Sequence, residues 1–391
     1  MAQADPRVEQ PASSDEAAEV LHGAARDGRR VRFRGGGTKL GWGRPTAEPD
    51  LVLSTQGIGQ VLEHNVGDLT AVVQAGVTIS QLRSTLAEEG QMLALDPPTT
   101  QGGVRGSATV GGVVASGDSG PLRHRFGAIR DLVIGITVAY PDGTVAKAGG
   151  KVIKNVAGYD LAKLLSGSFG TLGLIVDVSL RLHARPERLA TARLYGTDPD
   201  ELCAAASALA HRPSELVCLD LAWGADRGAV LARFAGATAA QQAGDALGVA
   251  EGTGLDPDVV EDDESLWAGQ RSHQRSAAGT VVRVSALQTD LPRVLRAAAR
   301  HQATVVGRAG QGLCWLTLGE RDAADAAAAV SELRGELAPF SCVIEDAPEA
   351  VRERVDPWGA GDDAELALMR RVKARFDPAR TCNPGLFVGG I

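Results

Sequence analysis

The chain has 391 residues, 44% hydrophobic, 23% charged and 4% aromatic, with a net charge of −8. That is enough apolar material for two or three domains or one large composite one, and the acidic balance and scarce aromatics weigh against a nucleic-acid footprint or a base-stacking platform. No apolar run approaches the ~18 residues of a membrane-crossing helix, and Cys203, Cys218, Cys314, Cys342 and Cys382 contain no C-x-x-C spacing for zinc or an iron–sulfur cluster.

Residues 1–14, rich in Pro, Ser, Gln and charge, read as a disordered leader. They lack the basic start and apolar core of a secretory signal. With free thiols as the simplest state of the cysteines, a cytoplasmic location is expected, or a peripheral one at the inner face of the membrane. A helix is expected over 15–27, capped by Ser14 or Asp15. A short strand over 31–34 then feeds Gly35-Gly36-Gly37-Thr38-Lys39. Consecutive glycines after a strand present backbone N–H groups as a nest for phosphate; an ordinary loop is the other reading. The loop is not a Rossmann fingerprint, because Leu40 stands where that pattern has a third glycine. It is not a Walker A loop either.

Strands are expected over 51–54 and 71–75, and an amphipathic helix over 79–89 with Gly90 as its stop. The segment 107–120 is a second cluster of small residues, including Thr109, Gly111, Gly112, Ser116, Gly117, Ser119 and Gly120. It permits a ligand to lie on the backbone, with the hydroxyls as partners, or else it is a tightly packed short helix. A hairpin follows, with strands over 131–140 and 144–147. Then comes the third cluster, 149–175, with Lys151, Lys154, Tyr159 and Gly167, Gly170 and Gly173 every third residue. It runs into an alternating strand with Val176, Val178, Leu180 and Leu182 on one face. One extended ligand touching all three clusters needs fewer assumptions than three unrelated loops.

After Pro186 glycines thin out and alanines rise. The expected order is strand 190–195, helix 199–210, strands 216–223 and 229–234, helix 239–247, strand 281–286, helix 291–303, strands 304–306 and 313–318, helix 323–337 and strand 340–345. This β-α-β-β-α-β rhythm predicts an antiparallel sheet covered by helices. The acidic run 261–264 reads as a solvated loop, and a helix over 363–376 precedes the tail. The class is α+β, divided as 15–186, 187–360 and a returning tail, 361–391.

The three clusters, with the tail F-D-P-A-R-T-C-N-P-G (376–385), resemble the FAD-binding domain of the vanillyl-alcohol oxidase or PCMH type followed by a ferredoxin-like cap. R-G-G-G-T-K (34–39) is similar to its pyrophosphate loop, 108–120 to its second flavin loop, and 155–161 with 167–175 to its third. G-G-K-V-I-K-N-V-A-G-Y-D (149–160) is most similar to the E-type flavin subunit of three-part glycolate oxidase. The resemblance implies that FAD is held by Arg34, Gly35, Gly36, Gly37, Thr38 and Lys39 on one side. Thr109, Gly111, Gly112, Ser116, Gly117, Ser119, Gly120 and Gly170 lie on the other, with Ile175 meeting it through backbone and Asn383 near the flavin ring.

No His stands in 34–39 or 108–120, so the FAD is expected to be non-covalent; His124, beside Arg123 and Arg125, reads as a surface residue. The seven histidines form no cluster of the kind relatives use to oxidise D-2-hydroxy acids with a metal. A second flavoprotein subunit and an iron–sulfur subunit are therefore the expected partners, and no metal is expected here. Candidates for substrate chemistry are Arg271, able to grip a carboxylate, Lys151 and Tyr159. A free-standing oxidoreductase acting on another alcohol and a scaffold without FAD stay open as alternatives.

Overall fold

The computed structural model describes residues 6–98, 107–151, 160–359 and 361–391. The chain begins with β1 (Arg7–Glu9), α1 (Ser14–Arg26), β2 (Val31–Arg34) and β3 (Leu51–Ser54), and the three strands form a parallel sheet in the order β1-β3-β2. The expectation of a disordered leader over 1–14 is corrected here for residues 6–14. Arg7–Glu9 pairs in register with Leu51–Leu53, so its backbone groups are spent on a neighbour remote in sequence. A three-residue edge strand leaves almost no compositional trace. Ser13 then caps α1 by accepting the Glu16 N–H at 3.1 Å.

Next come β4 (Val61–Asn65), β5 (Thr70–Gln74), α2 (Ile79–Ala87), β6 (Gln91–Met92), α3 (Val110–Ser116), α4 (Arg123–Phe126) and α5 (Ile129–Leu132). β7 (Val133–Ala139), β8 (Val145–Gly149), α6 (Leu161–Leu165), β9 (Leu174–Arg181) and β10 (His183–Ala184) complete this part. A five-stranded antiparallel sheet runs β4-β5-β9-β7-β8. The alternating strand after the third cluster is its centre: Val178 and Leu180 are fully buried between β5 and β7.

The cap carries β11 (Leu189–Gly196), α7 (Pro199–Ala210), β12 (Leu216–Gly224), β13 (Arg227–Ala235), α8 (Ala239–Ala246), β14 (Asp256–Val260) and α9 (Glu264–Ser272). It continues with β15 (Thr280–Ser285), α10 (Leu291–Arg300), β16 (Thr304–Arg308), β17 (Leu313–Leu318), α11 (Ala323–Leu337) and β18 (Ser341–Asp346). All eight strands form one antiparallel sheet, β14-β11-β13-β12-β16-β17-β15-β18. This order is two β-α-β-β-α-β units, each ordered fourth-first-third-second, joined edge to edge through β12 and β16. One face buries Leu202, Leu209, Leu295, Val330 and Leu333 from the helices. On the other face Val217, Leu231 and Trp267 meet Leu122 and Phe126 of the N-terminal part.

Two features of the polar segment differ from expectation. Residues 256–260 form β14 on the sheet edge, and Asp263 is 3% exposed rather than solvated. Its carboxylate takes a two-pronged bond from Arg233, at 3.0 and 2.6 Å, and a third from the Thr191 hydroxyl at 2.6 Å. A buried Arg on the sheet makes burial of a carboxylate tolerable, and one sequence shows no such pairing.

The tail follows α12 (Glu349–Arg354) and α13 (Asp363–Phe376). Thr381–Asn383 lies beside β2: the Val31 N–H donates to Thr381 O at 2.8 Å and the Asn383 N–H to Val31 O at 2.9 Å. Lys373, 6% exposed, fastens this return by donating to Thr171 O, the Asp377 carboxylate and Cys382 O at 2.6, 2.7 and 2.8 Å.

Candidate functional site

The three small-residue clusters come together around one cleft with about 830 Å³ of open space, its mouth included. The loop after β2 forms one wall, through Arg34, Gly35, Gly36, Gly37, Thr38 and Lys39. Thr109, Gly111, Gly112 and Ser116 of α3 and the turn before it form the second, and Gly170 and Ile175 the third. Asn383 closes one end. Thr109 caps α3, and its hydroxyl accepts the Gly112 N–H at 3.3 Å.

The glycines explain how the walls can approach so closely. A Cβ on Gly36 would lie 1.8 Å from Ser107 O, and one on Gly111 would lie 2.5 Å from the Ala75 Cβ. Of the two readings left open by the sequence, a ligand or tight packing, the structure shows the tight packing at these positions. The side that would carry a side chain is filled by protein, and the backbone is left to face the cleft. Such a cradle of backbone N–H groups with Thr38, Thr109 and Ser116 hydroxyls fits a pyrophosphate and the flat groups attached to it. Asn383 adopts φ +41°, a conformation Asn tolerates. Its carboxamide accepts the Phe33 N–H at 2.9 Å and donates to Phe169 O at 2.6 Å, so it joins β2 to the third cluster.

Other expected residues stand elsewhere. Gly117 ends α3 at φ +68° against Gly167. Gly120 backs onto Asp96, whose carbonyl oxygen would sit 1.8 Å from a Cβ there. Ser119 is buried between the N-terminal part and the cap. None of the three lines the cleft. Lys151 is exposed and paired with Glu63. Tyr159, like Lys154, lies outside the described residues. Arg271 does not line the cleft: its guanidinium bonds Glu264 at 2.5 Å, lies 3.8 Å from Asp96, and borders a second, wider groove between the two parts. His124 differs from the surface reading. It packs on Gly310 of the cap, and burial together with Arg125 pulls its pKa down.

Several contacts around the cleft join residues whose pairing no sequence spacing indicates. Lys39 reaches Asp118 at 3.0 Å, tying the first loop to the second with both side chains nearly buried. Phe169 and Leu386 add apolar lining. Three buried carboxyls stand near the junction of the two parts, Asp220 and Glu345 from the cap and Asp96 from the N-terminal part. Burial raises all three: Asp96, Glu345 and Asp220, the last to about 7. Asp220 faces Arg308 across the β12–β16 seam at 2.5 Å, and both are fully buried. Among the described residues no group of His, Cys, Asp and Glu could hold a metal ion.

An FAD-binding domain family matches residues 6–149, and the C-terminal domain of FAD-linked oxidases matches residues 360–386. An uncharacterized FAD-linked oxidoreductase of Mycobacterium tuberculosis is 27% identical over 97% of this chain and 90% of its own length. Glycolate oxidase subunit GlcE of Escherichia coli is 34% identical over 43% of this chain and 46% of its own. D-lactate dehydrogenase of Archaeoglobus fulgidus is 36% identical over 45% and 38%. Among solved structures, alkyldihydroxyacetonephosphate synthase superposes with a TM-score of 0.68 at 16% identity, covering 96% of this chain and 75% of that one. That likeness shows a common fold.

Proposed function

We propose that the chain, which matches an FAD-binding domain and the C-terminal domain of FAD-linked oxidases, is the FAD-binding subunit of a complex oxidising glycolate or another D-2-hydroxy acid. It would carry electrons through non-covalent FAD. Bound FAD would accept an electron pair from the hydroxy acid or from a partner's cofactor. The observation that carries this reading is the convergence of all three glycine-rich segments and Asn383 on one cleft. Gly35, Gly36, Gly37 and Thr38 would hold the pyrophosphate through backbone N–H groups and a hydroxyl, with Thr109, Gly111, Gly112 and Ser116 opposite. Ile175 would meet the cofactor through its backbone. Asn383 and Phe169 would bound the ring end, where apolar contact excludes water.

Substrate oxidation is assigned to a companion flavoprotein, and electron removal to an iron–sulfur partner. Two observations support that division. The expected substrate residue, Arg271, is already held by Glu264 and Asp96. The seven histidines are scattered along the sequence, unlike the clustered motif that relatives use with a metal in hydroxy-acid deprotonation. The test is reconstitution followed by anaerobic addition of glycolate or D-lactate to the chain alone and then with a candidate partner. Flavin reduction only with the partner is expected. Prompt reduction of the isolated chain favours a free-standing enzyme, and no FAD uptake favours a scaffold.

A further inference from the structure

We propose that Gln274 and Arg275, adjacent residues between α9 and β15 of the cap, are positioning residues that clamp both cofactor loops shut. The position of the cap thereby sets how tightly FAD is retained. The inference rests on FAD occupying the glycine-lined cleft.

Each residue reaches the backbone of a different segment, one the loop after β2 that lines the cleft and the other the turn that follows the α3 wall. The Gln274 Nε2 donates to Ser119 O at 3.1 Å, in the loop that follows α3. The Arg275 guanidinium donates to Thr38 O at 3.1 Å, in the loop after β2. Both are held on the cap side by groups that leave them little freedom. Arg308 donates to the Gln274 Oε1 and, at 2.5 Å, to Asp220, so Gln274 hangs from the seam between the two halves of the sheet. Gln274 is fully buried. Arg275 makes a two-pronged bond to Asp346 at the end of β18, at 2.6 and 2.9 Å. The same carboxylate accepts the Trp42 indole N–H at 2.9 Å and the Ser276 N–H at 3.1 Å. Trp42 follows the first loop, and its ring lies under both Arg275 and Lys39, 5.1 and 5.6 Å from the centroid.

The physical need for a clamp comes from the loops. Three consecutive glycines lose more backbone freedom on ordering than any other sequence would. A cradle that must be ordered at the moment of binding holds its ligand more weakly than one ordered beforehand. Lys39 and Asp118 tie the loops to each other, and Gln274 and Arg275 tie them to a rigid sheet. A cap displaced by a partner would release both carbonyls together and loosen the cofactor.

The experiment compares three variants as apoproteins, by thermal melting and by FAD binding and release followed through flavin fluorescence. Arg275→Lys keeps the charge opposite Asp346 but cannot fork to Thr38 O. Gln274→Glu keeps a partner for Arg308 and loses the donor to Ser119 O. Arg233→Lys weakens another buried cap ion pair that touches neither loop. Each clamp variant is expected to raise the FAD dissociation constant about tenfold, the scale of one buried hydrogen bond, mostly through faster release. Its apoprotein melting is expected to stay at or above that of Arg233→Lys, and Arg233→Lys is expected to bind FAD as the wild type does. FAD binding within twofold of wild type in either folded clamp variant overturns the proposal. So does an equal loss of affinity in Arg233→Lys, because general loosening of the cap would then be the cause. Uptake of FAD by the wild type checks the premise separately.

Discussion

Gly36 has the tightest surroundings in the cleft, with the space for a Cβ taken up by Ser107 O. Gly36→Val should abolish FAD uptake while leaving the cap folded, because the clash pushes apart two cleft walls and touches no cap residue. Flavin absorbance after reconstitution reads the first effect, and a retained cap unfolding transition reads the second. FAD held as in the wild type would remove these loops from the site. At the same scale, Lys373→Met should cost about 3–5 kcal/mol of unfolding free energy, since it strands the buried Asp377 and two carbonyls. Urea denaturation measures this, and a loss under about 1 kcal/mol would contradict the latch role. The sequence marked the glycines because their composition is anomalous. It could not mark Lys39 with Asp118 or Gln274 with Ser119, since each pair unites ordinary polar residues from distant segments.

Among the elements, the cap helices and strands were legible from periodicity. The helix over 363–376 appears with those bounds, and the β-α-β-β-α-β rhythm proves to be two units in tandem. β1, β4 and β14 were not foreseen: short edge strands carry little alternation, and their pairing depends on remote partners. The seam between the tandem units makes a prediction of its own. Burial of Asp220 lifts its pKa to about 7, from an ordinary value of 3.8. The folded state then binds this proton more tightly than the unfolded chain does. The group's contribution is fully present below pH ~4 and is lost as pH rises toward about 7, so stability falls over that window. Asp96 and Glu345 are raised by burial too and act in the same direction. The melting temperature should therefore decline more steeply between pH 5 and 8 in the wild type than in Asp220→Asn, where this titration is gone. Equal slopes would show that Asp220 stays charged beside Arg308.

For the whole molecule, the family resemblance was legible because its motifs cluster within a single part of the chain, where glycines recur at short spacing. The role of the cap was not, because its face toward the loops is built from side chains of β12, β15, β16, β18 and the segment after α9, which meet only in the folded sheet. Arg271 illustrates the gap: it suggested a substrate grip, and the fold places it between two carboxylates outside the glycine-lined cleft. The account of the whole chain holds that it keeps FAD by itself and depends on a partner for substrate oxidation. The direct test is to load the purified chain with FAD, mix it anaerobically with excess glycolate or D-lactate, and follow the flavin absorbance. The account predicts a flavin spectrum that stays oxidised until a substrate-oxidising partner is added; bleaching of the isolated chain within seconds would contradict it.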